Sequence, residues 1–181
     1  MAKKVIFLDR DGTLNVDQGY VHRQDDWQFT ERAPEAVRML KEAGFHLAVV
    51  SNQSGIGRGF FTMEDVTALH EYVQEQLATY ETCLDVITIC PHAPTEACSC
   101  RKPRTGMAHV VEQHLREAID YHGSWTVGDK PSDVAFGHTL GTKTVLIRSK
   151  YWNLDSQILR PDLVADSLYE AASMIISREQ L

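Results

Sequence analysis

Short apolar runs alternate with amphipathic stretches along most of this chain, and that alternation restricts its fold more than any other feature. Val5–Leu8 (VIFL) and Phe45–Val50 (FHLAVV) read as buried strands, and Val86–Ile89, Ser124–Val127 (SWTV) and Thr144–Ile147 (TVLI) as three further strands. Between them lie helical patterns with clear ends. Pro34 opens PEAVRMLKEAG and Gly44 closes it. Thr62-Met-Glu-Asp65 resembles a capping box ahead of a helix carrying Val66, Leu69, Val73 and Leu77. Met107–Ile119 places Val110, Val111, Leu115 and Ile119 on one side, Pro131–Leu140 is stopped by Gly141, and Ser167–Arg178 is amphipathic. Ser149–Ala165 has no period, and no element is predicted there. The expected fold is α/β, a Rossmann-like parallel sheet with helices on both faces.

The chain has 181 residues, enough for one packed domain, and a single domain over 1–181 is expected. A formal net charge of −7 argues against nucleic acid and anionic membrane as partners. The start, MAKKVIFLDRDG, lacks the apolar core of a signal peptide, and no run is long enough to span a bilayer. The expected location is therefore the cytoplasm, where clustered cysteines hold metal more often than they form disulfides. Cys83 stands apart and reads as a small, partly buried thiol. A monomer is expected.

Ligands of open α/β sheets sit at the carboxyl ends of the strands. Four segments here bring polar groups to that edge. In VIFLDRDGTLN, Asp9 and Asp11 follow the first strand, and Gly12 permits a sharp turn. Asp9 suits a carboxylate nucleophile and Asp11 a proton shuttle, although D-x-D-G alone fits an ordinary turn equally well. In TVGDKPSD, Asp129 follows the fourth strand and with Asp9 offers oxygen ligands for Mg²⁺. SNQSGIGRG supplies Ser51 as a donor to a phosphoryl oxygen, with Asn52, Gln53, Ser54 and Arg58 as further substrate contacts. Lys102 is the cation that would neutralise a transferring phosphoryl group.

The loop before Lys102 reads Cys90-x-His92-x₅-Cys98-x-Cys100. Three thiolates and an imidazole make a closed tetrahedral set typical of structural zinc, with no position left for a catalytic water. Such a metal would fasten a loop without a core of its own and aim Arg101 and Lys102.

Together these segments resemble the haloacid dehalogenase superfamily. Asp9-Arg-Asp11-Gly-Thr13 is similar to its first motif, Ser51 to its second, Lys102 to its third, and Gly128-Asp129 with Asp133 to its fourth. There is no room for a large cap between the motifs, so the chain looks like a capless member. Capless members with such a Cys/His loop include heptose 1,7-bisphosphate phosphatases and histidinol-phosphate phosphatases. Asn15-Val-Asp17-Gln-Gly19-Tyr20 and Ser54-Gly-Ile-Gly-Arg58-Gly are similar to segments of the heptose group, with Gly57 where that group has Ala.

The resemblance implies a Mg²⁺-dependent phosphatase on a phosphorylated sugar. Its Mg²⁺ would be held by Asp9, the Asp11 carbonyl and Asp129, and Asp9 would carry an aspartyl-phosphate. Asp17, Gly19 and Tyr20 would line the sugar site, and Arg58, Arg101 and Lys130 would meet phosphate or substrate. Two alternatives stand beside this. A histidinol-phosphate phosphatase would prefer acidic groups around its cationic substrate. A phospho-acceptor signalling domain would need neither Asp11 as a shuttle nor a zinc loop.

Overall fold

The computed structural model describes residues 2–151 and 159–179. Its strands are β1 (Val5–Leu8), β2 (His46–Asn52), β3 (Val86–Cys90), β4 (Trp125–Gly128), β5 (Lys143–Ile147) and β6 (Leu163–Ala165). They form one parallel sheet in the order β3-β2-β1-β4-β5-β6. The helices are α1 (Ala33–Glu42), α2 (Ser54–Gly57), α3 (Met63–Ala78), α4 (Gly106–Leu115), α5 (Pro131–Leu140) and α6 (Leu168–Glu179).

Every residue of β1 and β4 is buried, as apolar runs without alternation require. Successive side chains point to opposite faces, so one strand feeds two cores. Ile6, Leu8, Leu47, Val49 and Val127 pack with Val37 and Leu40 of α1, Leu69 and Val73 of α3, and Ile175 of α6. Val5, Phe7, Ala48 and Val50 pack with Met107 and Val111 of α4 and Phe136 of α5. Apart from Ala48, each such side chain contributes about 1.5–3 kcal/mol by burial.

Most helix ends fall where the sequence puts them. Thr62 and Asp65 exchange both bonds of a capping box, Gly141 adopts φ +80° after α5, and Gly44 adopts φ +90° after α1. Some expectations need correction. The helix expected over Met107–Ile119 stops at Leu115, because Arg116 turns left-handed at φ 54°. Ile119 instead bridges to Lys3, and Val110 faces solvent. The segment with no predicted element contains β6, a short edge strand beside β5; residues 152–158 of it lie outside the described residues. Cys83 is exposed rather than partly buried, since it sits in the loop between α3 and β3. No described helix is long and apolar enough to cross a membrane.

Glu179 gathers the edge of the sheet remote from the strand ends that carry Asp9 and Asp129. It accepts from Lys4 at 2.7 Å, Lys143 at 2.8 Å and the Trp125 indole at 3.3 Å. Partial burial opposes its charge, but the bonds from Lys143, Lys4 and Trp125 hold its carboxyl down to about 2. A carboxyl depressed in the folded state stabilises above its unfolded value of 4.5, and that stability is lost as pH falls toward 2. Glu179→Gln should therefore melt below wild type at pH 7, by on the order of 1 kcal/mol given solvent screening. The gap should close in melts taken from pH 5 down to pH 2, whereas a constant gap would assign the effect to packing.

Candidate active site

β1 and β4 are neighbours, but the chain leaves them toward opposite sides of the sheet, which opens a crevice at their carboxyl ends. Asp9 follows β1 and Asp129 follows β4; they are 6% and 1% exposed. Gly12 permits their approach. It has φ +89°, and a Cβ there would stand 2.3 Å from an Asp129 oxygen.

A cavity of about 170 Å³ opens here, lined by Asp9, Asp11, Ser51, Asn52, Arg101, Lys102, Lys130, Ser132 and Asp133. Lys102 lies on its floor, 2.7 Å from both Asp9 and Asp133. Burial works against its charge, but Asp133 and then Asp9 outweigh burial and hold the ammonium above its ordinary value. Burial pushes Asp129 up to about 7; Lys130 pulls it back, while Asp9 and Asp133 add to the rise. A carboxylate so strained is relieved by a cation. Three oxygens converge on one point, where Lys130 Nζ lies 3.1 Å from Asp129, 3.2 Å from the Asp11 carbonyl and 3.8 Å from Asp9. That oxygen set, already holding a cation, fits Mg²⁺.

Gln53 is expected among the substrate contacts, but its amide is used inside the protein. It donates to Asp11 and to Ser51, each at 2.8 Å, and accepts from Arg10 at 3.2 Å. Because Ser51 Oγ accepts this bond, its own proton is free to point into the cavity. Asn52 grips the Lys102 backbone, accepting from its N–H at 2.9 Å and donating to its carbonyl at 3.3 Å.

The second cluster begins at the end of β3. Cys90 and Cys98 sulfurs lie 3.8 Å apart, and His92 Nδ1 lies 3.5 Å from Cys90 and 3.3 Å from Cys100. Zn–S and Zn–N bonds of about 2.3 and 2.0 Å give tetrahedral edges of about 3.8 Å (S–S) and about 3.5 Å (S–N), so the set fits zinc. Burial drives the Cys90 thiol up to about 12, while the Arg101 N–H draws Cys98 down to about 6. Arg101 also donates to the His92 carbonyl at 3.3 Å. The cysteine cluster and the cavity thus share one short backbone segment.

Other expected residues stay off the cavity wall. Arg58 is exposed at the end of α2, and Ser54 begins that helix. Asp17 accepts from the Gly19 N–H at 3.0 Å and lies 3.7 Å from Lys130. Tyr20 is 48% exposed and meets Phe60 edge-on at 5.0 Å. Several contributors went unnoticed in the sequence. Ser149 donates to the Asp129 carbonyl at 2.7 Å, and Tyr151 reaches Asp17 at 3.4 Å. Both fall in an aperiodic segment that carries no signal. Arg10, to which the sequence assigns no role, is buried, and so is Asn15, which is named there only within the segment Asn15-Val-Asp17-Gln-Gly19-Tyr20.

A doubly wound parallel sheet with this set of acids and a buried lysine at its switch point defines a phosphatase of the haloacid dehalogenase type. A family model described as polynucleotide kinase 3 phosphatase matches residues 4–145. The D-glycero-beta-D-manno-heptose-1,7-bisphosphate 7-phosphatase of Haemophilus ducreyi is 42% identical, covering 94% of this chain and 97% of its own. The enzyme of that name from Escherichia coli K12 is 46% identical over 82% of each chain. The crystal structure of D,D-heptose 1,7-bisphosphate phosphatase from B. bronchiseptica, complexed with magnesium and phosphate, superposes with TM-score 0.87 at 29% identity, covering 97% and 99% of the two chains. The chain belongs to the polynucleotide kinase 3 phosphatase family and, by these identities, with the D-glycero-beta-D-manno-heptose-1,7-bisphosphate 7-phosphatases.

Proposed function

We propose that this protein removes the C7 phosphate of D-glycero-D-manno-heptose 1,7-bisphosphate through an aspartyl-phosphate on Asp9. The observation that carries this reading is the buried Asp9–Lys102–Asp133 row at the base of a cavity rimmed by Arg101 and Lys130, in a chain 40–47% identical to phosphatases named for that substrate. The model's polynucleotide name does not extend to the substrate, because a net charge of −7 disfavours nucleic acid.

Asp9 attacks phosphorus as the bond to the sugar oxygen breaks, and Asp11 gives that oxygen a proton. Asp11 then takes a proton from the water that hydrolyses the acyl phosphate. The free carboxyl of Asp11 is held low: burial opposes its charge, but Arg10, Asn15 and Gln53 prevail. An arriving phosphate ester raises its proton affinity by like-charge repulsion, which supplies the acid form for the first step. Ser51 and Lys102 stabilise the transferring group. Asp9, the Asp11 carbonyl and Asp129 would hold Mg²⁺, which when bound neutralises charge between the carboxylates and the phosphate. Cys90, His92, Cys98 and Cys100 would hold a structural Zn²⁺.

The phosphate that is retained needs a partner, and Arg101 is suited to pair with it. Arg101→Ala should raise KM for the bisphosphate about 10-fold or more, the value of one charged hydrogen bond. KM for a small monophosphate should barely move; equal shifts would remove Arg101 from that role. The reading as a whole is tested by phosphate release with Mg²⁺ from the heptose bisphosphate and from histidinol phosphate, with Asp9→Asn as the blank. Preference for histidinol phosphate would overturn the substrate, and activity in Asp9→Asn would overturn the mechanism.

A further inference from the structure

Arg10 stands between the two acids of the first motif, yet its side chain points inward and is 1% exposed. A buried guanidinium has to be fully partnered. Its Nε and Nη2 take the two oxygens of Asp11, at 3.2 and 3.0 Å. Nη2 also donates to the Val21 carbonyl and to Gln53, and the Trp27 ring lies 6.0 Å away. The remaining donor, Nη1, meets His70 Nε2 at 3.3 Å.

His70 projects from α3, sixty residues further along the chain. Arginine only donates, so Nε2 must accept and the ring proton must sit on Nδ1. Burial, and then the Arg10 charge, hold this histidine down to about 4, consistent with a neutral ring. Asn15 and Gln53 fill the other acceptor positions of Asp11, at 3.0 and 2.8 Å. Each Asp11 oxygen therefore receives one bond from Arg10 and one from a neutral amide. A proton on Asp11 must displace one of these bonds, and the amide bonds are the weaker.

We propose that Arg10, braced by His70, is a positioning residue that holds Asp11 at the cavity wall in the one orientation from which it delivers a proton to the leaving oxygen. The proposal rests on the role given to Asp11 above. As Asp9 bonds to phosphorus, the electron pair of the breaking P–O bond goes to the sugar oxygen, and the proton from Asp11 follows. A loosened Arg10 leaves the carboxylate free to turn, so the cost falls on proton delivery.

Leaving groups of different basicity test this. A sugar alkoxide needs the proton, whereas p-nitrophenolate departs without it. Arg10→Lys keeps the charge and loses the fork; His70→Leu removes the acceptor and His70→Gln retains one. In single-turnover experiments, Arg10→Lys and His70→Leu should slow phosphorylation of Asp9 by the sugar bisphosphate about 100-fold. The p-nitrophenol burst should change less than about threefold on the same scale, and His70→Gln should recover most of the loss. Equal losses on both substrates, or no loss on either, overturn the proposal. If Arg10→Lys does not fold, the two His70 variants decide alone. Asp9→Asn separates the levels: if it is inactive while the losses are equal, only the positioning role fails. If it remains active, the phosphatase mechanism and this proposal fail together.

Discussion

Replacing Lys102 with methionine should lower kcat by about 10³-fold, because on the proposed mechanism it removes the buried donor to the transferring phosphoryl group. It should also cost stability. Lys102 is 2.7 Å from both Asp9 and Asp133, and without it two buried carboxylates lose their shared partner. Breaking a buried pair from one side typically costs about 3–5 kcal/mol. The two effects separate in a double variant. Lys102→Met with Asp133→Asn removes one stranded charge and should regain part of the melting temperature but none of the activity. Recovery of both together would make Lys102 a structural cation only.

The second large effect concerns the cysteine cluster. The purified protein should hold about one zinc per chain, and Cys98→Ala or Cys100→Ala should release it. Binding of structural zinc is worth about 10–16 kcal/mol in small domains, far more than a loop of this length obtains from its own contacts. With the metal lost, Arg101 forfeits its anchors at Cys98 and His92, and the Lys102 backbone keeps only the grip of Asn52, while its ammonium still faces Asp9 and Asp133. Activity should fall at least about 100-fold, while the far-ultraviolet circular dichroism of the sheet persists because Cys98 and Cys100 lie beyond the end of β3. Metal analysis and kcat on the same sample decide the matter. Full activity without zinc would show that the loop is aimed by protein contacts alone.

The sequence disclosed the sheet because a strand covered on both faces is mostly apolar, and β1 with the buried stretches Leu47–Val50 of β2 and Val145–Ile147 of β5 follow that rule. It missed β6, where three residues at an edge, two of them half-covered, make too short a run. It overran α4, because the apolar spacing continues past the point where Arg116 turns the backbone left-handed. The acids of the candidate site announced themselves by position, Asp9 after β1 and Asp129 after β4. Their supports did not. Gln53 and Arg10 are polar residues beside a motif, and only three-dimensional packing shows that they face inward. His70 lies on a helix with no local pattern, sixty residues from the arginine it meets. Asp133 matches the fourth motif and lies in the first turn of α5; that it pairs with Lys102 is a fact of tertiary structure.

The order β3-β2-β1-β4 draws the site from loops far apart along the chain: Asp9 meets a lysine 93 residues away. No hairpin or short contiguous fragment contains both. Loop closure on that scale comes late in folding, after local helices have formed. Catalytic activity is thus an all-or-nothing gauge of whether the central strands have assembled in order. During refolding it should lag helix recovery, and a chain cut between β2 and β4 should regain it only when both pieces reassociate.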